Sequence, residues 1–219
     1  MDRNKKGGFF IKIAIIGATG HAGSFILDEA LSRDLDVTAI VRHPEKLPSD
    51  VPFIQKDLFE LTATDLASFD VVVDAFNAPK GKEEMHQTSL SHLIEILEGT
   101  DTRLIVVGGA SSLFLDTEKT TRMIDQVPKN APFYPTAFNM YEGLLKLKQS
   151  KNLQWTYISP ASLFDPHGKR TGTYLLSDDY LKRNAAGDST ISMADYAIAL
   201  VDEILDKQHE KQHISVVSR

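Results

Sequence analysis

Short β-branched runs alternating with longer stretches of helical period predict an α/β fold, a doubly wound parallel sheet covered by helices on both faces. Two further observations support it. The first apolar run passes directly into a turn punctuated by glycines. The long irregular connections fall in the C-terminal half, after predicted strands, where open α/β sheets place their substrate loops.

The strand candidates are 11–16, 37–41, 71–75, 104–107 and 155–159, each ending in turn residues, and "HISVVS" reads as the last strand. The first helix carries Ala22, Ile26, Leu27, Ala30 and Leu31 on one face. Another carries Met85, Ser89, Leu93, Ile96 and Leu97, and Gly99 is placed to cap its C-terminus. Near the C-terminus Ala194, Ala197, Ile198, Val201, Ile204 and Leu205 form an apolar stripe, opened by Ser192 with Asp195 three residues on, as in a capping box. Segments 111–134 and 162–189 are less periodic and are the expected substrate loops.

The chain has 219 residues, 42% hydrophobic and 25% charged, which suits one folded domain at 9–219. Residues 1–8, "MDRNKKGG", are polar and basic and read as a frayed leader or expression remnant. A net charge of -6 with scattered Lys and Arg argues against nucleic acid as partner. No apolar run is long enough for a bilayer, so a cytoplasmic protein, monomer or homodimer, is expected. The absence of cysteine excludes disulfides and thiolate chemistry. No metal is expected, because His86, His92, His167, His209 and His213 lack ligand spacing.

Gly17, Gly20 and Gly23 form G-x-x-G-x-x-G between a strand and a helix, the context that a dinucleotide cradle requires. Gly17 permits the tight strand exit, Gly20 lets a phosphate approach the backbone, and Gly23 lets the helix pack close to the strand. Ala18, Thr19 and His21 complete the turn, and free amides at the helix start face the pyrophosphate. Arg42 ends the second strand, where an NAD site would usually supply an acid for the ribose hydroxyls. A guanidinium pairs instead with a 2′-phosphate, with His43 and Lys46 adding positive potential, so NADP(H) is favoured over NAD(H).

The stretches "IKIAIIGATGHAGSFILDEAL", "VTAIVRHPEKL", "VVVDAF", "LIVVGGASSL", "LQWTYISPASLFDPHGKRTGTY" and "STISMADYAIALVDEI" together resemble the atypical short-chain dehydrogenase/reductase group of NAD(P)H-flavin reductases. Biliverdin reductase B/flavin reductase and NmrA-like proteins are more distant relatives. The resemblance spans residues 10–217. It implies that Asp57 and Leu58 meet the adenine edge and that Ala75, Phe76 and Asn77 pass beneath the adenosine side. It also implies that Gly108, Gly109 and Ser111, with Pro160, Ala161, Ser162 and Leu163, flank the nicotinamide.

Many short-chain dehydrogenases carry a Tyr-x-x-x-Lys pair whose lysine lowers the tyrosine pKa. Here Tyr134 is followed four residues on by Phe138, and Tyr141 by Leu145. Hydride transfer to a flavin such as FMN, or to a quinone-like acceptor, needs less acid–base help, because the acceptor ring is the electron sink and can be protonated from solvent. Ser111, Tyr134 and Tyr141 are the candidate catalytic residues. Ser112, Phe114, Phe133, Phe138 and Phe164 are further candidates for the acceptor pocket, and Lys169 and Arg170 for an acceptor phosphate. A non-catalytic NADP sensor of the NmrA-like kind and an epimerase or isomerase relative are the alternative readings.

Overall fold

The computed structural model describes residues 11–219, so the leader expected at 1–8 lies outside the described residues. In chain order the strands are β1 (Lys12–Ile16), β2 (Asp36–Val41), β3 (Phe53–Gln55), β4 (Val71–Asp74), β5 (Arg103–Val107), β6 (Gln154–Pro160), β7 (Leu163–Asp165), β8 (Tyr174–Ser177), β9 (Thr190–Ser192) and β10 (Gln212–Ser218). The helices are α1 (His21–Ser32), α2 (Ala63–Leu66), α3 (Met85–Leu97), α4 (Met123–Gln126), α5 (Tyr134–Gln149) and α6 (Met193–Asp206).

Eight of these strands form one sheet in the order β3-β2-β1-β4-β5-β6-β10-β8, while β7 and β9 pair separately. All neighbours in the large sheet run parallel except β8, which is antiparallel to β10. This is the doubly wound Rossmann-like arrangement expected from the alternation of elements. Side chains alternate across each strand, so Ile13 and Ile15 face one core and Ala14 and Ile16 the other. The first core lies under α1 and α6, and the second under α3 and α5.

From β1 the chain winds outward through β2 and β3, then returns to the other side of β1 as β4. The loops leaving β1 and β4 therefore diverge, opening a crevice at the C-terminal edge of the sheet where ligands enter such folds. The other end of the strands is closed by a buried ion pair. Arg103 on β5 pairs with Glu203 on α6, donates to the Glu203 carbonyl at 3.0 Å and to Thr156 Oγ1 on β6 at 2.6 Å.

Gly99 sits one residue beyond the C-cap of α3 at φ +82°, a conformation that a side chain resists. Ser192 caps α6 through the Asp195 amide at 3.0 Å, but Asp195 does not complete the expected capping box. Its buried carboxylate turns outward to the loop, taking the Thr171 and Gly172 amides at 2.9 Å and the Thr171 hydroxyl at 2.7 Å. Backbone donors two strands away offer it a fuller hydrogen-bond set than the helix N-cap does.

Candidate functional site

The crevice is a cleft of about 640 Å³ running along the strand ends from β2 and β3 to β5 and β6. Its middle is the glycine turn. Gly17 stands at φ +75°, and a Cβ there would lie 2.7 Å from the Ala75 carbonyl oxygen. A Cβ on Gly23 would meet the Gly17 oxygen at 2.1 Å, which allows α1 to start directly against the strand exit. Gly20 precedes the helix with no side chain to cap it, and no acid occupies the first turn. The first-turn amides, which have no intrahelical partner, and the positive end of the dipole are left for an anion.

Gly17, Thr19, Gly20 and His21 line the cleft, whereas Ala18 and Gly23 do not. Ala18 is fully buried in the core beneath, and Gly23 acts through its missing side chain. At the β2–β3 end stand Arg42, His43, Lys46, Lys56, Asp57 and Leu58. Asp57 caps the following turn by accepting the Phe59 amide at 3.0 Å and lies 3.8 Å from the Arg42 guanidinium. Lys56 is engaged by both oxygens of Asp65, at 2.7 and 2.8 Å, leaving Arg42 and Lys46 as the outward cations of this end, while His43 lies 3.2 Å from Glu45. Ala75, Phe76 and Asn77 cross the floor.

The β5–β6 end is walled by Val107, Gly108, Gly109, Met140, Pro160, Phe164 and Met193, with no titratable side chain among them. Beneath the glycine pair lies the Tyr157 ring, 2.2 Å from where a Gly108 Cβ would stand. The Gly109 amide donates to the Tyr157 hydroxyl at 3.4 Å, and the Gly109 carbonyl accepts from Ser112 at 2.7 Å and from Ser159 at 2.8 Å. Behind them His213 Nε2 lies 2.8 Å from Ser159 Oγ. Burial pushes the His213 imidazole down to about 3, so it is neutral and supports the glycine wall from within.

Several expected site residues lie elsewhere. Ala161 is buried in the core; the Ser162 amide is tied to Ser189 Oγ at 3.1 Å; Leu163 is 59% exposed on β7. None of the three lines the cleft, because the chain turns away after Pro160 to pair with β9. Ser111, Tyr134 and Tyr141 are also outside its wall. Ser111 sits on the short turn after β5, and its neighbour Ser112 points inward. Tyr134 stacks on Phe138 at 5.8 Å, and Tyr141 lies 5.4 Å from the Arg122 guanidinium, which itself covers Phe114 at 3.6 Å. Of the aromatic candidates only Phe164 reaches the wall. Arg170 is drawn to Glu29 at 2.9 Å on α1, away from the acceptor end.

Met140 and Met193 were not among the expected residues. Met193 could have been placed as the first helical residue after the Ser192 cap. Nothing in the local pattern distinguishes Met140 from a core methionine.

Residues 17–207 match the family model for NAD(P)H-binding proteins. YwnB of Bacillus subtilis (strain 168), an uncharacterized protein, is 50% identical over 210 residues, covering 95% of this chain and 99% of YwnB. The crystal structure of SP1627 from Streptococcus pneumoniae TIGR4, a candidate NADH-flavin reductase, is 42% identical with a TM-score of 0.89, covering 95% of this chain and all of that one. A candidate epimerase from Bacteroides thetaiotaomicron is 33% identical with a TM-score of 0.80, over 95% of this chain and 97% of its own. With the glycine cradle, the strand order and the matched span in agreement, the chain belongs to the NAD(P)H-binding family of Rossmann-fold proteins.

Proposed function

We propose that this protein is an NADPH-dependent reductase that passes hydride to a flavin or quinone-like acceptor. The observation that carries this reading is the chemistry of the β5–β6 end, whose wall is apolar and glycine-rich and presents no acid or base. Carbonyl reduction and epimerisation need a positioned proton donor or acceptor beside the reacting carbon. A conjugated ring needs mainly to be held face to face with the nicotinamide and kept from water, which Met140, Pro160, Phe164 and Met193 can do. The name carried by SP1627 points the same way.

The residues fit the cofactor in sections. Gly17, Thr19, Gly20 and the first amides of α1 hold the pyrophosphate; Arg42 with His43 and Lys46 holds a 2′-phosphate; Leu58 and Phe76 flank the adenosine. When bound, the cofactor supplies the hydride. The protein orients it, with Gly108 and Gly109 allowing close approach of the nicotinamide to the backbone.

NADPH consumption with FMN, riboflavin and quinones tests the reading, which fails if every rate equals that of a protein-free control. Arg42→Asp tests the cofactor choice. It is expected to weaken NADPH binding by roughly tenfold or more while changing NADH binding little; calorimetric titration with each nucleotide measures this, and equal losses would remove the 2′-phosphate role.

A further inference from the structure

Beside the cleft lies a second, smaller pocket of about 20 Å³, room for one water molecule. Asp74 of β4, His86 and Ser89 of α3, and Tyr157 of β6 line it. Such a water requires two to four polar partners, and the polar side chains of this lining are the candidates for them. Phe76, Val107 and Met140 border both this chamber and the acceptor end of the cleft.

Asp74 is the unusual member. It is 6% exposed, and one of its oxygens accepts the Phe76 amide at 3.0 Å. The titratable groups facing it are His86 from α3 and Tyr157 from β6. Burial lowers the His86 pKa, and its Nε2 accepts the Ala78 amide at 3.4 Å. Burial also raises the Tyr157 phenol far above neutrality. With no Lys or Arg among the residues lining the pocket, burial pushes the Asp74 carboxyl up to about 6. A buried acid that shares pocket walls with a reaction cleft is a candidate working group.

We propose that the chamber holds a water through which Asp74 delivers the proton that accompanies reduction of the acceptor. The inference rests on the reductase reading above. Asp74 loses its carboxyl proton to the water, and the water passes one of its own between Phe76 and Met140 to a nitrogen or oxygen of the acceptor. The acceptor receives hydride, both electrons with one hydrogen, from the reduced nicotinamide. The products are the oxidised cofactor, the two-electron-reduced acceptor and the Asp74 carboxylate, which solvent reprotonates. Asp74 thus acts through the water as a positioning proton store, without touching the acceptor.

The test uses the full-length protein with NADPH and FMN across neutral and mildly acidic pH. Turnover of the wild type is expected to fall as pH rises through about 6. Asp74→Asn should lose that inflection and slow kcat by roughly tenfold, solvent remaining as a slower proton source, with KM for NADPH unchanged. Independently of activity, the cofactor-free protein should show an infrared carboxylic-acid band titrating near that pH and missing from Asp74→Asn. Ser89→Val, which fills the chamber with a methyl group, should keep the band and slow kcat; it serves even if Asp74→Asn does not fold. A wild type idle with every acceptor overturns the reductase reading itself. An active wild type with an unchanged pH profile in Asp74→Asn, an unchanged kcat in Ser89→Val, or no titrating band overturns the proton store alone.

Discussion

At the scale of single residues, the Asp74 carboxyl has a consequence for stability that is separate from turnover. Its folded pKa of about 6 stands above the ordinary 3.8, so the native state binds this proton more tightly than the unfolded chain. The stability it contributes is full below about pH 4 and is lost as pH rises through about 6. The gap corresponds to roughly 3 kcal/mol of instability at neutral pH. Asp74→Asn, which keeps an acceptor for the Phe76 amide, is therefore expected to raise the unfolding free energy by about 2–3 kcal/mol at pH 7 and by little at pH 4, as measured by urea denaturation at both. Nothing in "VVVDAF" reveals this, because an acid ending an apolar run reads as a strand terminus and its desolvation depends on α3 and β6 from elsewhere in the chain. Arg42 was legible as a cleft residue because its place directly after β2 brings it to the strand exits. Ser111 was expected from its place after β5 and from the family resemblance, and Tyr134 and Tyr141 as aromatics near the acceptor end; none of the three lines the cleft wall.

Among the elements, the sheet core was readable wherever a strand is buried on both faces. Strands β1, β2, β4, β5, β6 and β10 are β-branched runs with near-complete burial, and their expected bounds agree to within about two residues. Strands β3, β7 and β9 have only three residues each, too few for a period to show. Strand β8 is half-buried throughout at the sheet edge, inside the less periodic segment 162–189. The bond between β5 and α6 was also hidden, since Arg103 and Glu203 are 100 residues apart. Glu203 additionally accepts the His209 imidazole at 2.7 Å and the His209 amide at 3.0 Å. Glu203→Leu leaves the Arg103 guanidinium buried without its counter-charge and is expected to cost about 3–5 kcal/mol, read from the denaturation midpoint. The double variant Arg103→Met/Glu203→Leu should recover much of that loss, because it removes the stranded charge as well as its partner.

For the whole molecule, the reversal of strand order on either side of β1 unites residues from six strand exits into one cleft. Binding at such a seam joins both halves of the sheet, so the cofactor should act as a stabiliser of the entire fold. At a hundredfold excess over Kd, NADPH is expected to add about 2.7 kcal/mol, a rise in Tm of roughly 5–10 °C. Scanning calorimetry with and without nucleotide measures it, and a single sharpened transition is the expected form. Among the described residues no helix is long and apolar enough to cross a membrane.

The Asp195 carboxylate joins the loop at Thr171 and Gly172 to the first turn of α6, the same turn whose Met193 forms part of the cleft wall. Rim and wall are thereby mechanically one piece. Anyone transplanting residues 166–173 from a relative to alter acceptor preference must carry a compatible residue at 195 with the graft, since a foreign loop without those bonds would come loose and take the pocket's edge with it.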